Sequence, residues 1–148
     1  MVIGFGCDPN AVDLKRVLMG LARELGHEVR DYGSEDPIYP HTAINVAKDV
    51  AAGRVERGVI LCGTGIGVSI AANKVDGVYC ALLTDAYQAQ RAQLSNNANM
   101  IAMGSQVLGV EVPKGLLVEY LKHTFDPFSR SAPKVAAIYR YEGTGELS

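Results

Sequence analysis

The chain has 148 residues, with 14 Lys and Arg against 16 Asp and Glu and a net charge of -2. That length suits one domain with a full hydrophobic core, and the slightly acidic balance argues against a nucleic-acid binder, which carries a basic excess. No apolar run approaches the roughly 18 residues of a membrane span, and no basic leader precedes an apolar stretch, so a cytoplasmic protein with no membrane partner is expected.

Val2 to Cys7 reads as a first strand and Asp8-Pro9-Asn10 as a turn. Asp13 to Leu25 reads as a helix with Leu14, Val17, Leu18, Leu21 and Leu25 on one face, stopped by Gly26. His27 to Tyr32 forms a second strand, and a polar loop runs from Gly33 to Tyr39. A second helix opens at Pro40 or Thr42 and ends at Gly53. Gly58 to Leu61 is a third strand, buried on both faces by its composition, and it leads through a glycine turn into a helix from Val68 to Lys74. Asp76-Gly77 turns the chain into a fourth strand, Val78 to Leu82. Thr84 then caps a helix from Asp85 to Leu94, and Asn99 to Met103 is a fifth strand. A helix follows from Gly109 through Leu116, Leu117, Tyr120 and Leu121 until Asp126-Pro127 breaks it. Ser131 to Tyr141 is the last helix, and the tail from Glu142 to Ser148 is expected to fray.

Strand and helix alternate throughout, which predicts a single α/β domain over residues 1–148, with a five-stranded parallel sheet covered by helices on both faces. Ligands of such sheets bind beyond the carboxyl ends of the strands. The segments expected there are Cys7 to Asn10, Gly33 to Tyr39, Cys62 to Gly67, Thr84-Asp85 and Gly104-Ser105.

The stretch from Val59 to Lys74 carries the strongest chemical signal. Gly63, Gly65 and Gly67 let the backbone bend sharply and approach a ligand. The turn feeds a helix N-terminus, whose exposed N–H groups attract anions. Cys62 ends the strand beside that positive end, a position that favours a thiolate able to act as base or nucleophile. The glycine spacing fits neither the dinucleotide fingerprint nor a P-loop. Read alone, it is equally a tight strand-to-helix turn, and Cys62 with Thr64 tilts the reading towards a site.

Other polar residues keep two readings. Cys7 and Cys80 fill the core, and the three cysteines show no zinc spacing, so no metal is expected. Asp8 is either a helix cap or a sugar-hydroxyl acceptor. Asn96, Asn97 and Asn99 are either turn chemistry or amides that hold an oxyanion. Arg130 and Lys134, spaced i, i+4, are either a solvated face or a phosphate clamp. His27 and His123 read as surface residues at element ends, and His41 as part of a crevice loop.

Taken together, Gly6-Cys7-Asp8, Tyr39-Pro40, Cys62 to Gly67 running on to Ala71-Ala72-Asn73-Lys74, and Asn96 to Gly104 resemble the type B ribose-5-phosphate isomerase family. That family includes the galactose-6-phosphate isomerase subunits and tetrulose-phosphate isomerases, and the resemblance covers nearly the whole chain. It implies a Rossmann-like αβα fold, a homodimer or tetramer with sites between subunits, and cofactor-free, metal-free interconversion of aldose and ketose phosphates. By the same resemblance Cys62 matches the base that moves a proton between C1 and C2, and Thr64 the hydroxyl that assists at the sugar oxygens. The turn from Gly63 through Gly65, Gly67 and Val68 to Ser69 matches the loop whose N–H groups hold the enediolate. Asp8 and Tyr39 match sugar-hydroxyl contacts, Asn96 an amide contact at the reacting end, and Arg130 and Lys134 the phosphate contacts, with lysine in place of the usual arginine at Lys134.

Three positions depart from the ribose enzymes. Pro9 and Ser95 stand where these usually carry histidines, the second of which opens the furanose ring, and Gln106 stands where many carry a phosphate-binding arginine. Serine is a poor acid–base group for ring opening, whereas a tetrose 4-phosphate has no ring to open. The resemblance therefore implies ribose 5-phosphate with ribulose 5-phosphate at the family level, and D-erythrulose 4-phosphate with D-erythrose 4-phosphate more sharply. A non-catalytic phosphosugar-binding module is the alternative from another class, and the retention of Cys62 and Thr64 argues against it.

Overall fold

Why the central strands read as unbroken apolar runs is plain from their surroundings in the computed structural model, which describes residues 1–147. The strands are β1 (Val2–Cys7), β2 (Glu28–Asp31), β3 (Arg57–Cys62), β4 (Cys80–Leu82) and β5 (Met100–Gly104). They form one parallel sheet in the order β2-β1-β3-β5-β4. The helices are α1 (Val12–Glu24), α2 (Tyr39–Ala51), α3 (Ile66–Ala72), α4 (Ala86–Leu94), α5 (Glu111–Leu121) and α6 (Ala132–Thr144).

Side chains alternate across each strand. Ile3, Phe5, Cys7, Val59, Leu61, Ile101 and Met103 pack against Leu14 and Leu18 of α1, Ala89 and Ala92 of α4, and Leu117 and Tyr120 of α5. Ile60, Cys62, Met100 and Ala102 pack the other way, against Val46 and Ala47 of α2 and Val68 and Ala72 of α3. Both faces of β1, β3 and β5 are therefore dry, and each large aliphatic side chain buried there contributes about 1.5–3 kcal/mol. The expected α/β sandwich is the observed one.

The structure moves several boundaries. β4 begins at Cys80 rather than Val78, because the Tyr79 N–H donates to the Asn99 side chain at 2.8 Å instead of joining the ladder. α4 is capped by Asp85, which accepts from the Gln88 N–H at 2.8 Å. Thr84, the expected cap, instead donates its N–H and hydroxyl to Gln88 Oε1 at 2.7 and 3.0 Å. α6 runs on to Thr144 because the Glu142 carboxylate accepts from the Gly77 N–H at 3.0 Å and from the Tyr79 hydroxyl at 2.8 Å. The first three residues of the tail expected to fray are thus helical and tied down. Among the described residues, no helix is long and apolar enough to cross a membrane.

From β1 the chain passes to β2 on one side and to β3 on the other. This reversal opens a crevice beyond the carboxyl ends of β1 and β3, where ligands of such sheets bind.

Candidate active site

Three residues stand side by side at that crevice. Cys7 pairs with Leu61, and the Asp8 N–H donates to the Leu61 carbonyl at 3.1 Å, so Asp8 follows in register beside Cys62. Cys62 in turn pairs with Gly104 of β5. Strand alternation points all three towards the α2/α3 face, with neighbouring strands roughly 4.8 Å apart. Asp8 is 8% exposed, and its Oδ1 accepts from the Asn10 N–H at 2.9 Å as cap of a short 3-10 turn, Pro9–Ala11. Capping occupies one carboxylate oxygen, and no donor among the described residues engages the other, so the two sequence readings of Asp8 are compatible.

The Gly63–Gly67 turn folds over this row. Gly65 takes φ +80, a left-handed conformation that a side chain would strain. At Gly104 a Cβ would stand 2.5 Å from the Thr64 carbonyl carbon, so only glycine lets the turn lie this low. Tyr39, the first residue of α2, brings its hydroxyl against Gly67, where a Cβ would collide with it. Asp8, Tyr39 and the turn therefore converge around Cys62.

The sulfur lies deeper than a thiol at an open rim. Cys62 is 6% exposed, and the Gly65 N–H donates to its Sγ at 3.0 Å. Strand parity turns the side chain towards α2 and α3, and the turn then closes over it. Thr64 is exposed, and its Oγ1 accepts from the Ile66 N–H at 3.2 Å, which leaves its hydrogen free to donate outward. The N–H groups of Gly67 and Val68, in the first turn of α3, meet no acceptor among the described residues. The Ser69 N–H is bound to the Gly65 carbonyl at 3.3 Å, so Ser69 falls outside the donor set. Gln106 donates its N–H to the Gly63 carbonyl at 2.9 Å and lays its amide over Gly63.

The remaining expected residues lie at the other end of the sheet. Asn96 precedes β5, whose first residue, Met100, pairs with Gly58. Cys62 is four residues farther along β3, about 13 Å at the usual strand rise. Asn96 is exposed beside a cavity of 230 Å³ that Asn73, Cys80 and Tyr139 also line. Arg130 precedes α6 by two residues and Lys134 lies in its first turn, both exposed. Ser95 accepts from Arg91 Nε at 2.6 Å. One chain thus splits the expected set, with Asp8, Tyr39 and Cys62 to Val68 at one end and Asn96 at the other, where the segment that carries Arg130 and Lys134 is tied on both sides, by Pro127 beside the Arg57 cavity and by Tyr139 and Glu142 on Asn97 and Gly77.

His41 is exposed, and its Nδ1 lies 2.8 Å from Asp36 Oδ2, which holds that carboxyl below its usual range. Cys7 is a core thiol, as expected, and burial pushes it up to about 11. Cys80 packs against the α2/α3 core as expected but only partly buried, because β4 is an edge strand; burial pushes its thiol up to about 12.

One supporting residue escaped the sequence reading. Lys15 is only 2% exposed and donates to Asp31 Oδ1 at 2.7 Å and Ser34 Oγ at 3.0 Å. Burial pushes the Asp31 carboxyl up, but the bonds from Lys15 and the Gly33 N–H outweigh it and hold it below its usual range. The pair anchors the loop that delivers Tyr39. Its signal was a lysine beside Leu14 and Leu18 on the apolar stripe of α1. A 440 Å³ cavity beside Arg57 lies at the far end of the sheet, and that guanidinium is engaged by the carbonyls of Tyr120 and His123 at 2.9 and 2.6 Å.

The model of the family described as Ribose/Galactose Isomerase matches residues 3–138. A D-erythrulose-4-phosphate isomerase of Pectobacterium atrosepticum is 43% identical over 144 residues, covering 95% of this chain and 94% of that protein. Ribose-5-phosphate isomerase B of Escherichia coli is 39% identical over 143 residues, covering 95% of each. The solved structure of Clostridium thermocellum ribose-5-phosphate isomerase B superposes with a TM-score of 0.91 at 35% identity, covering 99% of this chain and 100% of that one.

Proposed function

Since the chain belongs to the ribose/galactose isomerase family and is a sugar-phosphate aldose–ketose isomerase, we propose that its substrate is an open-chain tetrose phosphate, D-erythrulose 4-phosphate exchanging with D-erythrose 4-phosphate. The relatives named above carry both tetrose and pentose names, so the argument rests on residue 95. Ser95 offers a hydroxyl already bound to Arg91 Nε at 2.6 Å, and no histidine or carboxylate among the described residues bonds to it. The three histidines are engaged elsewhere, His27 with the N-terminal amine, His41 with Asp36 and His123 with Glu119. A pentose 5-phosphate closes into a furanose and needs an acid–base group to open it. A tetrose 4-phosphate carries its phosphate on the oxygen that would close the ring.

In this reading the Cys62 thiolate takes a proton from C1 of the ketose, and the electron pair moves to the C2 carbonyl oxygen to give an enediolate. The N–H groups of Gly67 and Val68 and the Thr64 hydroxyl hold that negative charge. The thiol returns its proton to C2 while the O1 proton passes to O2 by way of the Thr64 hydroxyl, and the aldose results. Losing preorganised donors of this kind costs about 2.7–4 kcal/mol each. Asp8 and Tyr39 hold sugar hydroxyls. Asn96, Arg130 and Lys134 come from a second copy of the chain, because one copy keeps them at the far end of its own sheet.

Coupled assays on both sugars test the substrate. Turnover of erythrulose 4-phosphate with kcat/KM at least about 100-fold above that for ribose 5-phosphate is expected, as for a site lacking one acid–base group. Equal or better turnover of ribose 5-phosphate overturns the ring-opening argument.

A further inference from the structure

Arg91 lies in the last turn of α4, half-buried, with Nε donating to Ser95 Oγ at 2.6 Å. No carboxylate among the described residues pairs with it, whereas Lys15, Arg54 and Lys122 each hold one. Fixing Nε fixes the plane of the whole guanidinium and leaves its Nη donors free. A partly desolvated cation without a counter-charge is costly until an anion meets it.

The adjoining turn is fixed as well. The Ser95 N–H donates to the Arg91 carbonyl at 2.8 Å, the Asn97 N–H to Gln93 at 3.0 Å and the Ala98 N–H to Ala92 at 2.8 Å. Asn97 takes φ +50, and its side chain donates to the Tyr139 hydroxyl at 3.0 Å. Between these anchors Asn96 is exposed, and its amide has no partner among the described residues. The guanidinium is thus held on Ser95, the residue next to Asn96, and the turn that carries both is fixed by its own backbone bonds.

We infer that Arg91 is a substrate-contacting residue which, with Asn96, holds the oxygens at the reacting end of the sugar in the partner copy's crevice. This rests on the two-copy reading given above. Negative charge grows on those oxygens as the enediolate forms, so a prepositioned guanidinium binds the transition state more tightly than the substrate. A guanidinium stabilises charge without shuttling protons, which suits a sugar that arrives already open.

The test combines kinetics with subunit mixing, on whichever sugar phosphate the wild type turns over best. Arg91→Leu should lower kcat about 100-fold with KM little changed, the pattern of an interaction made mainly in the transition state. Arg91→Lys, which keeps the charge but loses the plane, should fall between, and thermal unfolding of both should stay near wild type. Lys134→Ala, at the phosphate end, should instead raise KM. Chains carrying Cys62→Ala and chains carrying Arg91→Leu, each inactive or nearly so alone, are then co-expressed. If Arg91 serves the partner's crevice, half of randomly formed dimers hold one intact site, and about a quarter of wild-type activity returns. A Cys62→Ala with Asn96→Ala mixture tests the two-copy reading separately. Recovery there without recovery for Arg91 overturns the role of Arg91 alone, and recovery in neither overturns both. A KM effect matching that of Lys134→Ala, or unchanged kcat, also overturns the inference.

Discussion

Gly104→Ala is the substitution for which the structure gives the most definite forecast. The added methyl would stand 2.5 Å from the Thr64 carbonyl carbon, 2.6 Å from its oxygen and 2.8 Å from the Gly63 oxygen. These are backbone atoms, so no side-chain rotation relieves the clash. Ordinary contact begins at 3.4 Å, and the turn must therefore rise by a large fraction of an ångström. A misplacement of about 1 Å in reacting groups costs about 100-fold in rate, and overpacking a close contact costs about 1–3 kcal/mol. We expect kcat to fall about 100-fold, more than KM changes, because the N–H donors and Thr64 ride on that turn. Gly109→Ala is the control, since nothing lies within 4 Å of its Cβ position. The assays are steady-state isomerisation and urea unfolding of both variants. A Gly104→Ala enzyme with kcat within about twofold of wild type would show that the turn's height does not matter to the chemistry.

Two further forecasts concern stability. Burial holds the Cys7 thiol protonated up to about 11, against 9.0 for a free thiol, so its contribution is complete below about 9 and is lost as pH rises through about 11. Urea unfolding at pH 8 and pH 11 should show a drop larger in wild type than in Cys7→Ala by about 2 kcal/mol, and equal drops in both would contradict the assignment. The Tyr120 hydroxyl donates to the Ala98 carbonyl at 2.6 Å, but that oxygen also receives Gln93 Nε2 at 2.8 Å. Tyr120→Phe leaves the acceptor satisfied, so calorimetry should find a loss nearer 1 than 3 kcal/mol.

Much of this is legible in the sequence, and the rest is hidden for physical reasons. β1 is legible to the residue, because an apolar run ending in a Cys-Asp-Pro turn is local information. The Cys62 turn was legible for the same reason, since glycines and a strand-end cysteine act over six residues. The extension of α6 was not, because it depends on Glu142 meeting Gly77 and Tyr79, more than 60 residues away in sequence. The late start of β4 likewise depends on the Asn99 side chain. The depth of Cys62 follows from strand parity, which composition does not reveal. The separation of Asn96 from Cys62 was implicit in a parallel sheet, where residues before one strand and after another lie at opposite ends. The Arg91–Ser95 bond follows the i, i+4 spacing on α4, but only the three-dimensional structure shows that no carboxylate among the described residues pairs with that arginine.

The central claim is that the Cys62 sulfur removes the proton from carbon beneath the glycine turn. Solvent deuterium incorporation into erythrulose 4-phosphate, followed by NMR for wild type and Cys62→Ala, tests it most directly. Wild type should exchange the carbon-bound hydrogen during turnover, and Cys62→Ala should still bind the phosphosugar while exchange falls by at least about 1,000-fold. A Cys62→Ala enzyme that exchanges at the wild-type rate would contradict the account.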